Sequence, residues 1–294
     1  MNDRAERVLP PLRPERVIAL ETMGAVGDVA RPLTPIERIT NITAVRRLMV
    51  LLVLAVAWEA YARFTANPLL FPSLSETLEA FWDALVRGPL IDRTLTSMQV
   101  LGAGYALGLA LAAVITTVAV STRIGTDLLS TLTAMFNPLP AIALLPLALL
   151  WFGLGAKSLI FVIIHSVLWA VALNTHSGFM SVSQTLRMAG QNCGLRGLSY
   201  VALLLVPAAF PSILTGLKIG WAFAWRTLIA AELVFGVSSG KGGLGWYIYE
   251  NKNMLDIPAV FAGLLTVILI GLIVENFIFR NIEAVTVRRW GMQS

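Results

Sequence analysis

The chain has 294 residues, 57% of them hydrophobic and only 13% charged, with a mean hydropathy of +0.76. Soluble domains carry roughly a quarter charged residues, so this composition cannot coat a water-soluble globule and excludes an ordinary soluble enzyme. The net charge of +5 does not argue for nucleic acid, because the basic residues sit at segment ends and in the tails, where membrane topology places them.

Residues 1–33 hold prolines at 10, 11, 14 and 32, scattered charges and no apolar periodicity, and read as a flexible tail. No cleavable signal peptide is visible, so the first apolar run reads as an uncleaved anchor. At Thr34-Pro35 a cap and a first-turn proline open a segment over 34–47, with Ile36, Ile39, Ile42 and Val45 at helical spacing. It reads either as an amphipathic elbow helix on the membrane face or as an extension of the first span. The remainder, 48–294, forms one transmembrane region.

A span needs about 20 apolar residues. The first runs from about 48 to 64, with Trp58 and Tyr61 as interfacial aromatics. Phe71-Pro72-Ser73, followed by Glu76, Glu79 and Asp83, marks a capped surface helix. No charge occurs between Arg93 and Arg123, between Asp127 and Lys157, or between Lys157 and Arg187, which sets spans two, three and four at 95–120, 128–152 and 158–180. Asn137-Pro138-Leu139-Pro140 and Pro146 interrupt the third, and lost backbone hydrogen bonds at that depth require helix neighbours or a polar cavity. Gly102, Gly104, Gly108, Ala112 and Ala113 suit the second to close helix contact.

Residues 197–217 are apolar enough for another span, but Pro207 and Pro211 break them into pieces too short to cross. The fifth span is therefore set at 211–237 and the sixth at 257–279, with a glycine-rich loop, 236–256, carrying Trp246, Tyr247 and Tyr249 between them. Six spans put fourteen basic residues on the side of both termini and six on the other, leaving aside Lys218 and Arg226. That bias makes both ends cytoplasmic.

Within the spans, Arg226 and Glu232 lie six residues apart on different faces of one helix and so should not pair directly. Arg226 is a candidate for lining a translocation path and favouring an anion, or else for fixing helix packing. Glu232 is a second path candidate, with a hydrogen-bonding brace as the favoured role. Asn137 and His165 complete the path candidates, and His165, Asn174 and His176 also fit hydrogen-bonded packing. Their spacing, without carboxylates, does not suit a metal. Trp151, Trp169, Trp221 and Trp225 read as packing or interface anchors. Glu275 is expected to snorkel with Arg280. The single cysteine, Cys193, excludes an internal disulfide.

Residues 181–207 carry Met188-Ala189-Gly190, then Gly194, then Leu204-Leu205-Val206-Pro207. This resembles the coupling loop of ATP-binding-cassette (ABC) importer permeases, in which Glu-Ala-Ala, a spaced glycine and Ile-x-Leu-Pro recur, here with the glutamate replaced by Met188. Phe71-Pro72-Ser73, Trp151-Phe152-Gly153, Pro207 to Pro211, Gly216 to Gly220, and Trp225-Arg226 with Ala230-Ala231-Glu232 resemble the nitrate/sulfonate/taurine branch. The resemblance implies an all-α membrane protein with six transmembrane helices in the type I importer arrangement and a cytoplasmic coupling helix. It implies ATPase contact through Met188, Ala189, Gly190, Gly194, Leu195, Arg196, Leu198 and Pro207, with Leu195, Leu198, Tyr200 and Val201 offering apolar surface. It also implies a second permease copy, two ABC ATPases holding ATP and Mg, an external solute-binding protein, and a location in the bacterial inner membrane. No cofactor would be bound by this chain, which has no phosphate-binding Gly-x-x-x-x-Gly-Lys-Ser/Thr. A transporter or channel driven by an ion gradient is the alternative, although no internal repeat is evident.

Overall fold

The computed structural model describes residues 41–235 and 242–289. The tail over 1–33 and the first half of the 34–47 segment, residues 34–40, lie outside the described residues. The chain divides into two compact units, Met1–Leu54 and Ala55–Ser294. The first contributes the opening of helix α1, Thr43–Thr65, so residues 43–47 continue directly into the first span.

All described elements are helical. After α1 come α2 (Leu74–Val86), α3 (Leu90–Val120) and α4 (Arg123–Phe136). A 3₁₀ turn, Ala141–Leu144, leads into α5 (Leu145–Phe152), and α6 runs from Ala156 to Ser181. Then follow α7 (Gln184–Asn192), α8 (Gly197–Ala208), α9 (Phe210–Phe235), α10 (Leu244–Asn253) and α11 (Ile257–Val287). Helices α1, α3, α6 and α11 are each long and apolar enough to cross a membrane. Two further pairs qualify only as bent units, α4 with the segment Ala141–Phe152 at 87° and α8 with α9 at 78°. Counting each bent pair as one gives six candidate spans, as the charge pattern requires.

Both bends follow from proline. Asn137-Pro138-Leu139-Pro140 separates α4 from the 3₁₀ turn because two missing N–H groups cannot continue the ladder. Before Pro207, Val201–Leu205 widens into a π-helical turn, and the chain turns at Ala209 before α9. Residues 197–217 are thus not a seventh span.

Helix α6 is the centre of the body and is packed on two sides. Along α3, Gly104, Gly108 and Ala112 form an inward row, and a Cβ added at Gly104 or Gly108 would lie 2.7 Å from Ile163 or 2.8 Å from Val167. Gly102 faces open space and does not share this role. Along α9, Gly216 and Gly220 meet Asn174 and Val171 in the same way, while Gly178 of α6 meets Ser212. Lipid supplies no hydrophobic drive between helices, so dispersion at such close backbone approach holds the bundle. Tyr105 adds a hydrogen bond from α3 to the Leu217 carbonyl at 2.9 Å.

Elsewhere the aromatic residues Trp58, Tyr61, Phe71 and Phe261 cluster with ring centroids 5.3–5.8 Å apart. The Trp58 indole donates to the Pro72 carbonyl at 3.0 Å. Glu59 accepts from the Leu74 and Ser75 amides at 2.9 and 3.3 Å, setting a carboxylate against the N-terminus of α2, whose own capping box joins Ser73 and Glu76. The loop expected over 236–256 contains helix α10, with Leu244, Tyr247 and Ile248 buried. Glu275 stands 3.9 Å from Lys218, which also pairs with Glu283 at 2.8 Å, so it does not serve Arg280 as the sequence reading supposed.

The packing makes one contrast measurable. Gly108→Ala should lower stability by roughly 1–3 kcal/mol through overpacking, whereas Gly102→Ala should be neutral or slightly stabilising. Thermal unfolding of the two variants in detergent checks this.

Candidate functional site

Two regions concentrate polar and strained features. The first is the segment after α6. Ser183 caps α7 by accepting from the Leu186 amide, and the helix ends where Gly194 turns left-handed at φ +82°. The Leu195 amide bonds the Gly190 carbonyl at 3.0 Å across that turn, the closure that glycine permits best. Chain direction then reverses into α8. Gly190 is buried against Leu204, and an added Cβ would lie 2.1 Å from its Cδ1. Phe179, Val182, Val201, Leu204, Leu205 and Ala209 form a separate small core beneath α7 and α8, with Leu195 and Tyr200 packed against it. Arg187 donates to the carbonyls of Val182, at 3.1 Å, and Phe179, tying α7 to the last turn of α6.

Among the residues expected to contact an ATPase, Met188, Ala189, Arg196 and Leu198 are exposed. Gly190 is buried and Leu195 and Pro207 are half-buried, holding the segment's shape. Val201 is buried and offers no outer surface, while Leu186, 44% exposed, adds to the exposed apolar side chains Met188 and Leu198.

The second region is a cavity of about 360 Å³ walled by the Asn137–Ile142 break, α6 and α9. Asn137, His165 and Arg226 all line it, together with Ser166, Trp169 and Thr227. The Arg226 Nε donates to the Ala222 carbonyl at 3.1 Å, and its guanidinium lies 5.1 Å from the Phe223 ring. It forms no ion pair among the described residues, and no carboxylate lines the cavity. Ser166 bonds Thr227 at 3.1 Å across the α6–α9 contact. Trp169 stacks on Phe136 at 5.2 Å, with His165 edge-on to both rings. The His165 nitrogens and the Trp169 indole nitrogen have no hydrogen-bond partner among the described residues. The hydrogen bonds expected of His165 as a packing group are therefore not made among the described residues, while Trp169 packs on Phe136. His176 Nε2 is likewise unpartnered, whereas Asn174 bonds the Ala170 carbonyl at 2.8 Å.

Glu232 is placed outside this cavity. It is 2% exposed, with both carboxylate oxygens 2.8 Å from the Ser97 hydroxyl and one accepting from the Gly245 amide at 2.8 Å. Ser97 in turn accepts from the Leu244 amide at 2.8 Å. One carboxylate thereby satisfies the first amides of α10 and joins that helix to α3 and α9. Gly245 is required, because a Cβ there would lie 2.7 Å from the Ile229 carbonyl oxygen. Arg93 and Glu250, 3.1 Å apart, hold the far side of α10.

Residues 95–284 match the family described as the binding-protein-dependent transport system inner membrane component. A Methanocaldococcus jannaschii protein bearing the name of an ABC transporter permease is 32% identical over 75% of this chain and 83% of its own length. The Escherichia coli taurine transport system permease TauC is 31% identical, covering 75% and 80%. The nitrate import permease NrtB of Synechocystis is 32% identical over 52% and 54%. The chain belongs to the binding-protein-dependent transport inner membrane component family, and is a multi-pass membrane permease.

The Glu232 cluster can be tested directly. Glu232→Leu removes the only acceptor of the Gly245 amide, leaving a buried donor that costs about 1–3 kcal/mol. Amide exchange over 244–248 should accelerate by roughly tenfold or more, while exchange in α6 stays near wild type.

Proposed function

We propose that this chain is the membrane-spanning subunit of an ABC importer for a small oxyanion of the sulfonate or nitrate type. Two copies would enclose the path, an external binding protein would deliver the solute, and two ATPases would drive the cycle while this chain binds no nucleotide. The observation that carries the reading is the Arg226 cavity. A guanidinium without a carboxylate partner, set beside unpartnered indole and imidazole nitrogens, favours an anion and disfavours a cation. Names of relatives support the same class, since nitrate and the sulfonate end of taurine, which also carries an ammonium group, each present oxygens sharing one negative charge.

The segment 181–207 supports the coupling role. It exposes Leu186, Met188 and Leu198, and it is fastened to α6 through Arg187 and the small core around Leu204. A push on these side chains would reach α6 as a rigid-body shift. In this topology both termini and the segment are cytoplasmic, residues 1–33 are a tail, and 34–47 leads into the membrane.

Reconstituted with its ATPase and binding protein, the wild-type chain should take up labelled taurine or nitrate only with ATP. Arg226→Gln should assemble normally yet lose about tenfold of uptake, equivalent to roughly 1.4 kcal/mol. Unchanged uptake in that variant rejects the path assignment, and ATP-independent uptake favours a gradient-driven carrier. Leu198→Glu should weaken copurification with the ATPase and leave the thermal midpoint of the permease unchanged. Cys193, exposed on the segment, should resist membrane-impermeant maleimide in intact cells and react in inverted vesicles.

A further inference from the structure

Six buried side-chain nitrogen and oxygen atoms lack a hydrogen-bond partner among the described residues, and five of them belong to residues that line two cavities. Such atoms are rare in folded proteins because each one forfeits its desolvation cost. Two are the His165 nitrogens and a third is the Trp169 indole nitrogen, all at the Arg226 cavity. The other two, Thr133 Oγ1 and His176 Nε2, belong to residues that line a second cavity of about 350 Å³ between α4 and α6. Thr133 is only 3% exposed. Ser130 and Ser177 add hydroxyls there, and no Asp, Glu, Lys or Arg lines it. The cavities share Asn137 and Pro138, so the proline break of α4 is the partition between them. His165, Trp169 and His176 lie along one stripe of α6, with eleven residues, about 16 Å of helix axis, from first to last.

We infer that the second cavity is a relay site for the same small oxyanion, held by the hydroxyls of Thr133 and Ser177 and by His176 after it leaves Arg226. This rests on the importer reading above. A fixed cation attracts an anion into the path but also retains it, and passage through successive weaker sites lowers the barrier to leaving. The second cavity meets that need, since its donors are neutral side chains and no carboxylate repels the solute. Its position assigns it to the exit side. Met180 and Ser177 form its wall, next to Phe179, whose carbonyl Arg187 grips and whose ring lies in the core under the coupling segment. Displacement of that segment would therefore move the wall of this cavity first.

The test uses the complete permease–ATPase complex in lipid nanodiscs, with the chain carrying Cys193→Ser and Ser177→Cys. Anionic 2-sulfonatoethyl methanethiosulfonate, itself a sulfonate, and the cationic trimethylammonioethyl analogue are compared, each normalised to its rate with free cysteine. The sulfonate should react about tenfold faster, and excess taurine or nitrate should slow it. Equal rates, or absence of protection by either anion, overturn the relay site. Uptake separates this failure from failure of the wider reading. His176→Leu should cut uptake about tenfold with the ATPase still bound, and His176→Gln, which keeps a donor, should restore most of it. If Arg226→Gln abolishes uptake while His176→Leu leaves it intact, the relay fails and the importer path stands. If neither substitution matters, the path itself is misassigned.

Discussion

Helix α6 touches its two neighbours almost backbone to backbone, and the rest of the molecule is arranged around that constraint. Gly104 and Gly108 of α3 leave room for Ile163 and Val167, and Gly216 and Gly220 of α9 leave room for Asn174 and Val171. In a bilayer the lipid tails are as apolar as leucine, so helices are held by dispersion at short range and by the few polar contacts they can satisfy. The result is a rigid three-helix slab. His165 and Trp169 of α6 line the first cavity together with α9, and His176 lines the second together with α4.

That slab explains how distant parts can act as one. The coupling segment is fastened to the last turn of α6 by Arg187 and rests on its own core, so it has little freedom to bend independently. At the other end, Glu232 and Ser97 fasten α10 to α3 and α9 through a fully bonded carboxylate. A buried carboxyl group held by Ser97 and the Gly245 amide resists local loosening, whereas the cavity groups between the two fastenings are left without partners among the described residues. Fastened ends and unmet polar capacity between them are what the proposed conduit, moved from outside, would require. The proline breaks complete the design, since irregular backbone at membrane depth is tolerable only where protein or a polar cavity covers it.

Much of this was legible in the residues. Uncharged stretches of span length, the arginine-rich ends, and the prolines at 138, 140, 207 and 211 define the spans and their interruptions, and Met188 through Pro207 point to the coupling segment. The row Gly104, Gly108, Ala112 was visible as small residues, but Gly102 and Ala113 looked equivalent until the helix phase was known. Helix α10 was missed because its flanking glycines masked the spacing of Leu244, Tyr247 and Ile248. Trp169 reads from the sequence as a packing or interface anchor and the two histidines as bonded packing groups, since a buried nitrogen ordinarily finds a partner.

The sequence by itself determined that the chain lives in a membrane, how many times it can cross, and which family's coupling pattern it carries. Those properties follow from hydrophobicity, charge and proline, which act locally and need no knowledge of neighbours. Only the tertiary structure decided that Arg226, His165 and Asn137 share a cavity while Glu232, six residues along the same helix from Arg226, caps α10 instead. Which face of a helix meets which neighbour depends on interdigitation between segments far apart in the chain, and no single segment encodes that choice.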